Sequence, residues 1–256
     1  TTSNTALGVS ALANVSAGTN RNVALGESAL ANVTSGSLHV GVGYQAGAGQ
    51  TTGQYNCFVG TFAGGNPVGT ATGDGNVAIG YASLGYYSRT SAGFNVAIGY
   101  QAAQKTTSGA YNVIAGNTAG LDLTSGAYNV LLGPDAGENI TTGSNNVAIG
   151  RAALDAVTTG GSMVAIGYNA GGNYTGSNNF VAIGSSCFSG SGGMVESVGV
   201  GPSVGTAMTS GQWNVFVGSA VAAANTGGSS NVYIGQRVSG GPNAVGTGSY
   251  NVGVGD

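Results

Sequence analysis

The stretch Asn146-Val147-Ala148-Ile149-Gly150 decides the fold, because close variants of this phrase fill the chain. Fifteen copies occur, and ten of the fourteen intervals between their final glycines are 17 residues long. These final glycines, called phrase glycines below, are Gly8, Gly26, Gly43, Gly60, Gly80, Gly99, Gly116, Gly133, Gly150, Gly167, Gly184, Gly201, Gly218, Gly235 and Gly255. Such a short, regular period is typical of a solenoid, in which each repeat buries its apolar side against its neighbours.

The phrase alternates between two kinds of side chain, which is the pattern of a β-strand. Val147 and Ile149 point to one face, whereas Asn146, Ala148 and Gly150 point to the other. We therefore predict an all-β chain: a parallel β-solenoid, or β-roll, of about 15 coils with a 17-residue period. We expect the β-branched face to fill the coil, and the small face to pack against another chain, because a strand without a polar side is covered on both faces.

Two further positions recur in each repeat. A glycine lies seven residues before many phrase glycines, and we expect a positive φ there: Gly36, Gly53, Gly109, Gly126, Gly143 and Gly160. An asparagine opens most phrases. Stacked at the roughly 4.8 Å spacing of neighbouring strands, these amides are predicted to form a hydrogen-bonded structural ladder. Its central members are Asn76, Asn95, Asn112, Asn129 and Asn146.

Composition limits the classes of function. The unbroken repeat predicts one solenoid over residues 1–256, and because the pattern is already running at both ends we expect a segment of a longer fibre. Charged residues make up only 5% of the chain, and its five basic residues are isolated, so no basic stripe is available for nucleic acid. No run of 18 apolar residues occurs, so we expect no membrane insertion.

Outside one acidic cluster, no residue pattern points to catalysis, and none predicts a cofactor. Ser203 lies in a G-x-S-x-G sequence, but that motif needs a strand-to-helix turn and a histidine, and Ser203 occupies a variable slot of the repeat. The single histidine, His39, replaces an asparagine of the ladder. Cys57 and Cys187 occupy slots that elsewhere hold small apolar residues, where a free cysteine packs like one. We therefore predict a protein that is not an enzyme.

One acidic cluster has three interpretations. Glu138 and Asp155 each follow a phrase glycine by five residues on adjacent coils, and Asp122 lies one coil earlier, over Lys105. The three carboxylates could form an exposed acidic rung, hold a cation such as Ca²⁺, or serve as the paired carboxylates of a glycosidase.

Aromatic residues also follow the period. Tyr111, Tyr128 and Trp213 each lie five residues before a phrase glycine. Such a row could contact a glycan or a receptor, cover the edge of the coil, or line an interface between chains.

These residues carry a resemblance. The phrase followed three residues later by alanine, as in Gly150 and Ala153, resembles the head repeats of YadA-like trimeric autotransporter adhesins. The Thr-Ser-Gly lead-in, as at 107–109, is similar to longer repeats in bacteriophage tail fibres. The resemblance implies a left-handed β-roll assembled as a homotrimer and displayed outside a cell or on a virion. The adhesin repeat is shorter than 17 residues, so the period favours the phage type.

The leading functional hypothesis is a structural or adhesive segment of a phage tail fibre or a cell-surface adhesin, located on the virion, on the cell surface or outside the cell. Its expected partners are further copies of itself and a cell-surface glycan or receptor. One alternative is a subunit of a self-assembling extracellular filament. Another is a tailspike-like solenoid that degrades polysaccharide.

Overall fold

A computed structural model describes residues 3–16, 21–65, 70–85, 91–175, 179–190, 192–238 and 247–255. The chain divides into two compact units, Thr1–Asn129 and Val130–Asp256. Throughout the described residues the regular structure is β-strand, joined by turns, and no helix occurs among them. No helix that could span a membrane is therefore found in that part of the chain. The all-β prediction is confirmed.

In the first unit, each phrase forms one short strand. The strands are β1 (Thr5–Leu7), β2 (Val23–Leu25), β3 (Val40–Val42), β4 (Cys57–Val59), β5 (Val77–Ile79), β6 (Val96–Ile98) and β7 (Val113–Ala115). Within this unit, each strand from β1 to β6 pairs in parallel with the next along the chain, and the same slots face each other: Val77 pairs with Val96, and Ile79 with Ile98. The repeat thus sets the register.

The second unit follows the same scheme with one addition. Its strands are β8 (Val130–Leu132), β9 (Val147–Ile149), β10 (Val164–Ile166), β11 (Phe180–Ile183), β12 (Gly193–Val195), β13 (Ser197–Val200), β14 (Ser210–Gln212), β15 (Val215–Ser219), β16 (Val232–Gln236) and β17 (Val252–Gly255). Eight of them hold the phrases and form a parallel sheet, while β12 and β14 pair separately. The predicted parallel β-solenoid with a period of about 17 residues is confirmed.

The prediction of which face is internal is wrong. Ala148 is fully buried, as is Asn146, whereas Val147 and Ile149 are only half-buried and belong to the outer face of the sheet. The coil is narrow, and its interior is filled jointly by the alanine of the strand and by residues of the opposite turn. β-branched side chains on both sides would not fit at native packing density.

Large and small side chains compensate across many of the coils. The strand residue two before a phrase glycine faces the residue four after it. A strand alanine is matched by a turn leucine, as with Ala24 and Leu30, Ala78 and Leu84, and Ala148 and Leu154, all of them buried. A large strand residue is matched by glycine, as with Phe58 and Gly64, Ile114 and Gly120, and Leu131 and Gly137. A Cβ at Gly64 would lie 2.2 Å from the Phe58 ring. Where both slots are small, side chains of neighbouring coils fill the space, as the Phe58 ring and Leu30 do beside Gly47.

The phrase glycines are required by backbone geometry. Their φ angles lie between 122° and 151°, a region that L-residues with a side chain rarely adopt. Space is also lacking: a Cβ at Gly99 would lie 2.2 Å from the carbonyl oxygen of Gly116 on the next coil.

The turn glycines have a different reason from the one predicted. None of Gly36, Gly53, Gly109, Gly126, Gly143 and Gly160 has a φ in the left-handed region. A Cβ at Gly109 would instead lie 2.5 Å from the Gly126 carbonyl oxygen, and one at Gly143 would lie 2.3 Å from that of Gly160. Close approach of successive coils excludes a side chain at these positions.

Both cysteines are free thiols. Cys187 is buried, and burial raises the pKa of its thiol to about 12. It therefore behaves as a small apolar residue, as expected for its slot.

Candidate interaction surface

The asparagine ladder is a buried column of amides that hydrogen-bond from coil to coil. The Asn112 Nδ2 donates to Asn95 Oδ1 and to the Gly126 carbonyl, both at 3.0 Å. Its Oδ1 accepts from the backbone N–H of Asn129 at 2.9 Å and from the Asn129 Nδ2 at 3.0 Å. Asn76 donates in the same way to Asn56. In the second unit, Asn146 donates to the Gly160 carbonyl at 2.9 Å. These residues therefore join coils rather than bind a ligand.

His39 continues the ladder incompletely. Its backbone N–H donates to Asn22 Oδ1 at 2.9 Å, and its Nδ1 accepts from the Asn56 N–H at 3.3 Å, so the neutral ring carries its proton on Nε2. That buried Nε2 has no hydrogen-bond partner among the described residues. Burial lowers the pKa of His39 to about 4. A contact with the Gly53 backbone, which does not meet the geometry of a hydrogen bond, and the charge of Asp74 act in the opposite direction. The imidazole is neutral at physiological pH.

The ladder is interrupted once, in three consecutive coils of the second unit. Met163, Phe180 and Ser197 occupy the slots where asparagine is expected. Met163 and Phe180 cannot pass on an amide hydrogen bond, whereas Ser197 restores the ladder by accepting from the Asn214 N–H at 3.1 Å. The Phe180 ring turns into the coil and fills the space beside Gly171, where a Cβ would lie 2.8 Å from it.

The three acidic residues of the predicted cluster are divided between the two units. Asp122 lies in the first unit and forms an ion pair with Lys105 at 2.6 Å. Glu138 and Asp155 lie in the second unit, where the Asp155 backbone carbonyl accepts from the Asn139 Nδ2 at 2.9 Å. Burial raises the pKa of the Asp155 carboxyl, and the charge of Asp135 adds to this. No group of three acidic, histidine or cysteine side chains suited to a metal is found among the described residues. The cation and glycosidase interpretations of the cluster stay predictions.

The outer face of each sheet is an exposed apolar surface, called the outer face below. It consists of the Val and Ile slots three residues and one residue before the phrase glycine. In the first unit Ile79, Ile98 and Val113 are 39–43% exposed, and in the second Ile183, Val215 and Ile234 are 36–43% exposed. Large aromatic side chains border it on both sides at the slots five residues before the phrase glycine and one after it. They are Tyr44, Tyr55, Tyr81, Phe94, Tyr100, Tyr111, Tyr128, Tyr168, Trp213 and Tyr250.

Tyr111 and Tyr128 belong to a stack of parallel rings in the first unit. The Phe94 and Tyr111 centroids, and those of Tyr111 and Tyr128, are 5.2 Å apart, with interplanar angles of 6° and 1°. Because each ring covers the face of the next, the stack presents mainly ring edges to solvent.

Trp213 occupies the same slot in the second unit but has a polar environment. It is 56% exposed, and its neighbours in that slot on the adjacent coils are Glu196 and Ser230. The indole N–H donates to the Glu196 carboxylate. Unlike Tyr111, the indole has no aromatic ring of the described residues stacked on it.

A shallow depression lies beside Glu196 at the ladder interruption. It encloses about 260 Å³ and is lined by Ser162, Asn179, Phe180, Val181, Glu196, Ser197 and Val198. The sequence analysis did not predict this depression, although its position is marked by three consecutive coils that lack asparagine at the ladder slot.

No protein-family model, no curated protein and no solved structure matches the chain. The function must therefore be argued from the outer face and the sites beside it.

Proposed function

We propose that this chain is a structural, non-enzymatic segment of an extracellular attachment fibre, of the phage tail-fibre or surface-adhesin kind, and that it works as an assembly of parallel copies. The observation that carries the proposal is the outer face of each unit. Its columns of Val, Ile and Leu are apolar and half-buried to exposed, and successive repeats extend them.

The physical argument is that such a surface requires a cover. Single exposed apolar residues are ordinary, but contiguous apolar patches beyond a few hundred Å² mark interfaces. In each unit the apolar slots of successive strands pair directly, so the exposed residues form continuous columns rather than scattered positions.

A second copy is the partner that fits these columns best. Another outer face has the same strand spacing and the same alternation of Val and Ile, and it carries few charges to desolvate. Closed cyclic symmetry then places every chain in the same register, and the resemblance to trimeric fibres favours three copies. The interior of the coils is filled with apolar residues and a hydrogen-bonded amide ladder, which suits a structural scaffold. An enzyme would instead need reactive side chains that converge at one place.

Substitution on the outer face tests the proposal. Ile98→Lys places a charge on a half-exposed slot, so we expect the chain to keep its β-sheet circular dichroism and to lose its assembly in sedimentation. Ser108→Lys, at an exposed turn of the same repeat, is the matched control and is expected to sediment like the parent. Unchanged assembly in Ile98→Lys would contradict the proposal. A discrete multimer supports a finite fibre segment, whereas open-ended filaments in electron microscopy would support the alternative of a polymer subunit.

A further inference from the structure

The outer face has two borders: the leading border, at the slot five residues before the phrase glycine, and the trailing border, at the slot one residue after it. We infer that the leading border of one copy packs against the trailing border of the next copy at the same coil, and that Tyr168 of the next copy is thereby seated in the depression beside Ser162. The inference rests on the proposed function, because it states which residues of the parallel assembly meet.

The depression is a gap in the leading border. Ser162, Asn179 and Glu196 hold the leading-border slot on three successive coils, whereas in the first unit a stack of large rings holds it. The apolar wall of the depression is formed by Val181 and Val198, which belong to the outer face. Any copy that covers the outer face therefore also closes the depression, so its occupant must come from that copy.

The trailing border supplies one side chain that fits the gap. The three coils that bound the depression carry Tyr168, Ser185 and Pro202 at the trailing-border slot. Only Tyr168 is large, and it is 54% exposed. It lies on the same coil as Ser162, and cyclic symmetry relates parallel copies by rotation alone, so the ring of one copy lies level with the gap of the next. Its hydroxyl then meets the exposed Asn179 amide, which can donate or accept.

The charges at the two borders are also complementary. In the second unit, Glu196 lies at the leading border, while Arg151 at the trailing border lies over the Tyr168 ring, 5.9 Å from its centroid. In the first unit, one coil carries Arg21 at the leading border and Glu27 at the trailing border, both exposed and neither in an ion pair among the described residues. Contact between unlike borders brings opposite charges towards each other in both units, which favours this arrangement over contact between like borders.

A size swap tests the contact without changing the fold. Tyrosine already holds the leading-border slot at Tyr128, where φ is 60° against 59° at Ser162, and serine holds the trailing-border slot at Ser219. Ser162→Tyr fills the gap, and Tyr168→Ser removes the side chain that occupies it. In the double variant the ring enters the same space from the other copy, so the contact is restored.

Subunit exchange between ordinary and isotope-labelled full-length chains, followed by native mass spectrometry, measures the strength of the contact. We expect each single variant to exchange at least about tenfold faster than the parent, because loss of an aromatic anchor at an interface acts mainly on dissociation. The double variant should exchange within about threefold of the parent, because neighbouring substitutions compensate each other. Thr159→Tyr, at an exposed turn outside both borders, is the control and should exchange like the parent.

A cross-link tests which borders meet. Cys57 on the outer face is first replaced by valine, the residue of the paired slots, while the buried Cys187 thiol, whose pKa is raised to about 12, does not react. Asn179→Cys and Ser185→Cys then place one exposed thiol at each border of one coil, about 20 Å apart within a chain. A short bismaleimide should join chains that carry both substitutions and leave chains with either one alone unlinked. Cross-linking of a single-cysteine variant would show that like borders meet and would overturn the inference.

The outcomes separate this inference from the proposed function. If the parent is a multimer and neither Ser162→Tyr nor Tyr168→Ser changes its exchange, the depression faces solvent or another molecule in the assembly, and the inference fails while the fibre proposal stands. Faster exchange in both single variants without recovery in the double variant would likewise refute the pairing of these two residues. A monomeric parent would instead overturn the proposed function, and this inference with it.

Discussion

Replacing His39 by asparagine should remove a pH dependence that a single imidazole imposes on the first unit. Every other ladder position of that unit holds asparagine, so the substitution installs the residue that the slot accommodates on neighbouring coils. In the parent, the buried Nε2 has no hydrogen-bond partner among the described residues, and the pKa of the imidazole is lowered to about 4.

The sign follows from where the proton binds. The unfolded chain takes up a proton near the ordinary pKa of 6.5, whereas the folded chain does so only near about 4. His39 is thus fully compatible with folding above pH 6.5, and stability is lost as the pH falls from there towards 4. At about 1.4 kcal/mol per pH unit, the loss over this range is about 3 kcal/mol.

Urea unfolding followed by far-ultraviolet circular dichroism at pH 7.5 and pH 4 measures this quantity. The carboxylates of the chain titrate in both proteins, so the difference between parent and His39→Asn isolates the imidazole. We expect the parent to lose about 3 kcal/mol more than the variant on acidification. An equal loss in both proteins would show that His39 is hydrated or charged in the folded state and would refute the burial argument.

Three further substitutions test other parts of the fold. Asn112→Leu leaves the Gly126 carbonyl and the Asn129 N–H without hydrogen-bond partners inside the ladder. At about 1–3 kcal/mol for each unsatisfied group, the free energy of unfolding should fall by at least about 2 kcal/mol. The exposed Asn117→Leu is its control and should change stability by less than about 0.5 kcal/mol. Gly99→Ala places a Cβ against a backbone carbonyl at a residue whose φ is 136°. The melting temperature should fall by well over about 5 °C, or the variant should not fold. An unchanged melting temperature would contradict the account of the phrase glycines. Asp155→Asn removes a carboxylate whose raised pKa shows that its charge is unfavourable in the folded state. The variant should therefore be more stable than the parent at neutral pH, and this gain should disappear in acid, below the pKa of the carboxyl. A loss of stability at pH 7 would show that the charge is favourable.

The 17-residue period was sufficient to predict the parallel strands and their register. Strand pairing matches equal slots, as Val77 and Val96 show, and a fixed period permits no other alignment over many repeats. The amide ladder was predictable for the same reason, because Asn95 and Asn112 must stack once the strands do.

The choice of internal face could not be made from the phrase alone. Alternation separates Val147 and Ile149 from Ala148 but does not say which set meets the opposite turn. The answer lay in the pairing of Ala148 with Leu154 six residues later, a compensation of volumes that becomes visible only when all the coils are compared. The large size of the Val and Ile side chains suggested the wrong face, because the interior of the coil is narrow.

The backbone angles of the turns could not be predicted from the sequence either. Residues two and four positions after the phrase glycine adopt positive φ, with 55° at Ala152 and 53° at Leu154, although neither residue type favours that conformation. Hydrogen bonds between coils stabilise it: the Ala152 N–H donates to the Pro134 carbonyl and the Leu154 N–H to the Ala170 carbonyl, both at 3.0 Å. Stacking, rather than local sequence, determines these backbone angles.

The most direct test of the central claim, that the outer face joins copies of this chain, is the mass of the unmodified protein in solution at micromolar concentration. Sedimentation equilibrium should give a multiple of the 24.5 kDa chain mass, and the cyclic parallel assembly predicts a factor of three. A stable monomer of 24.5 kDa that shows no tendency to associate would contradict the claim, because the exposed columns of Val and Ile would then face water.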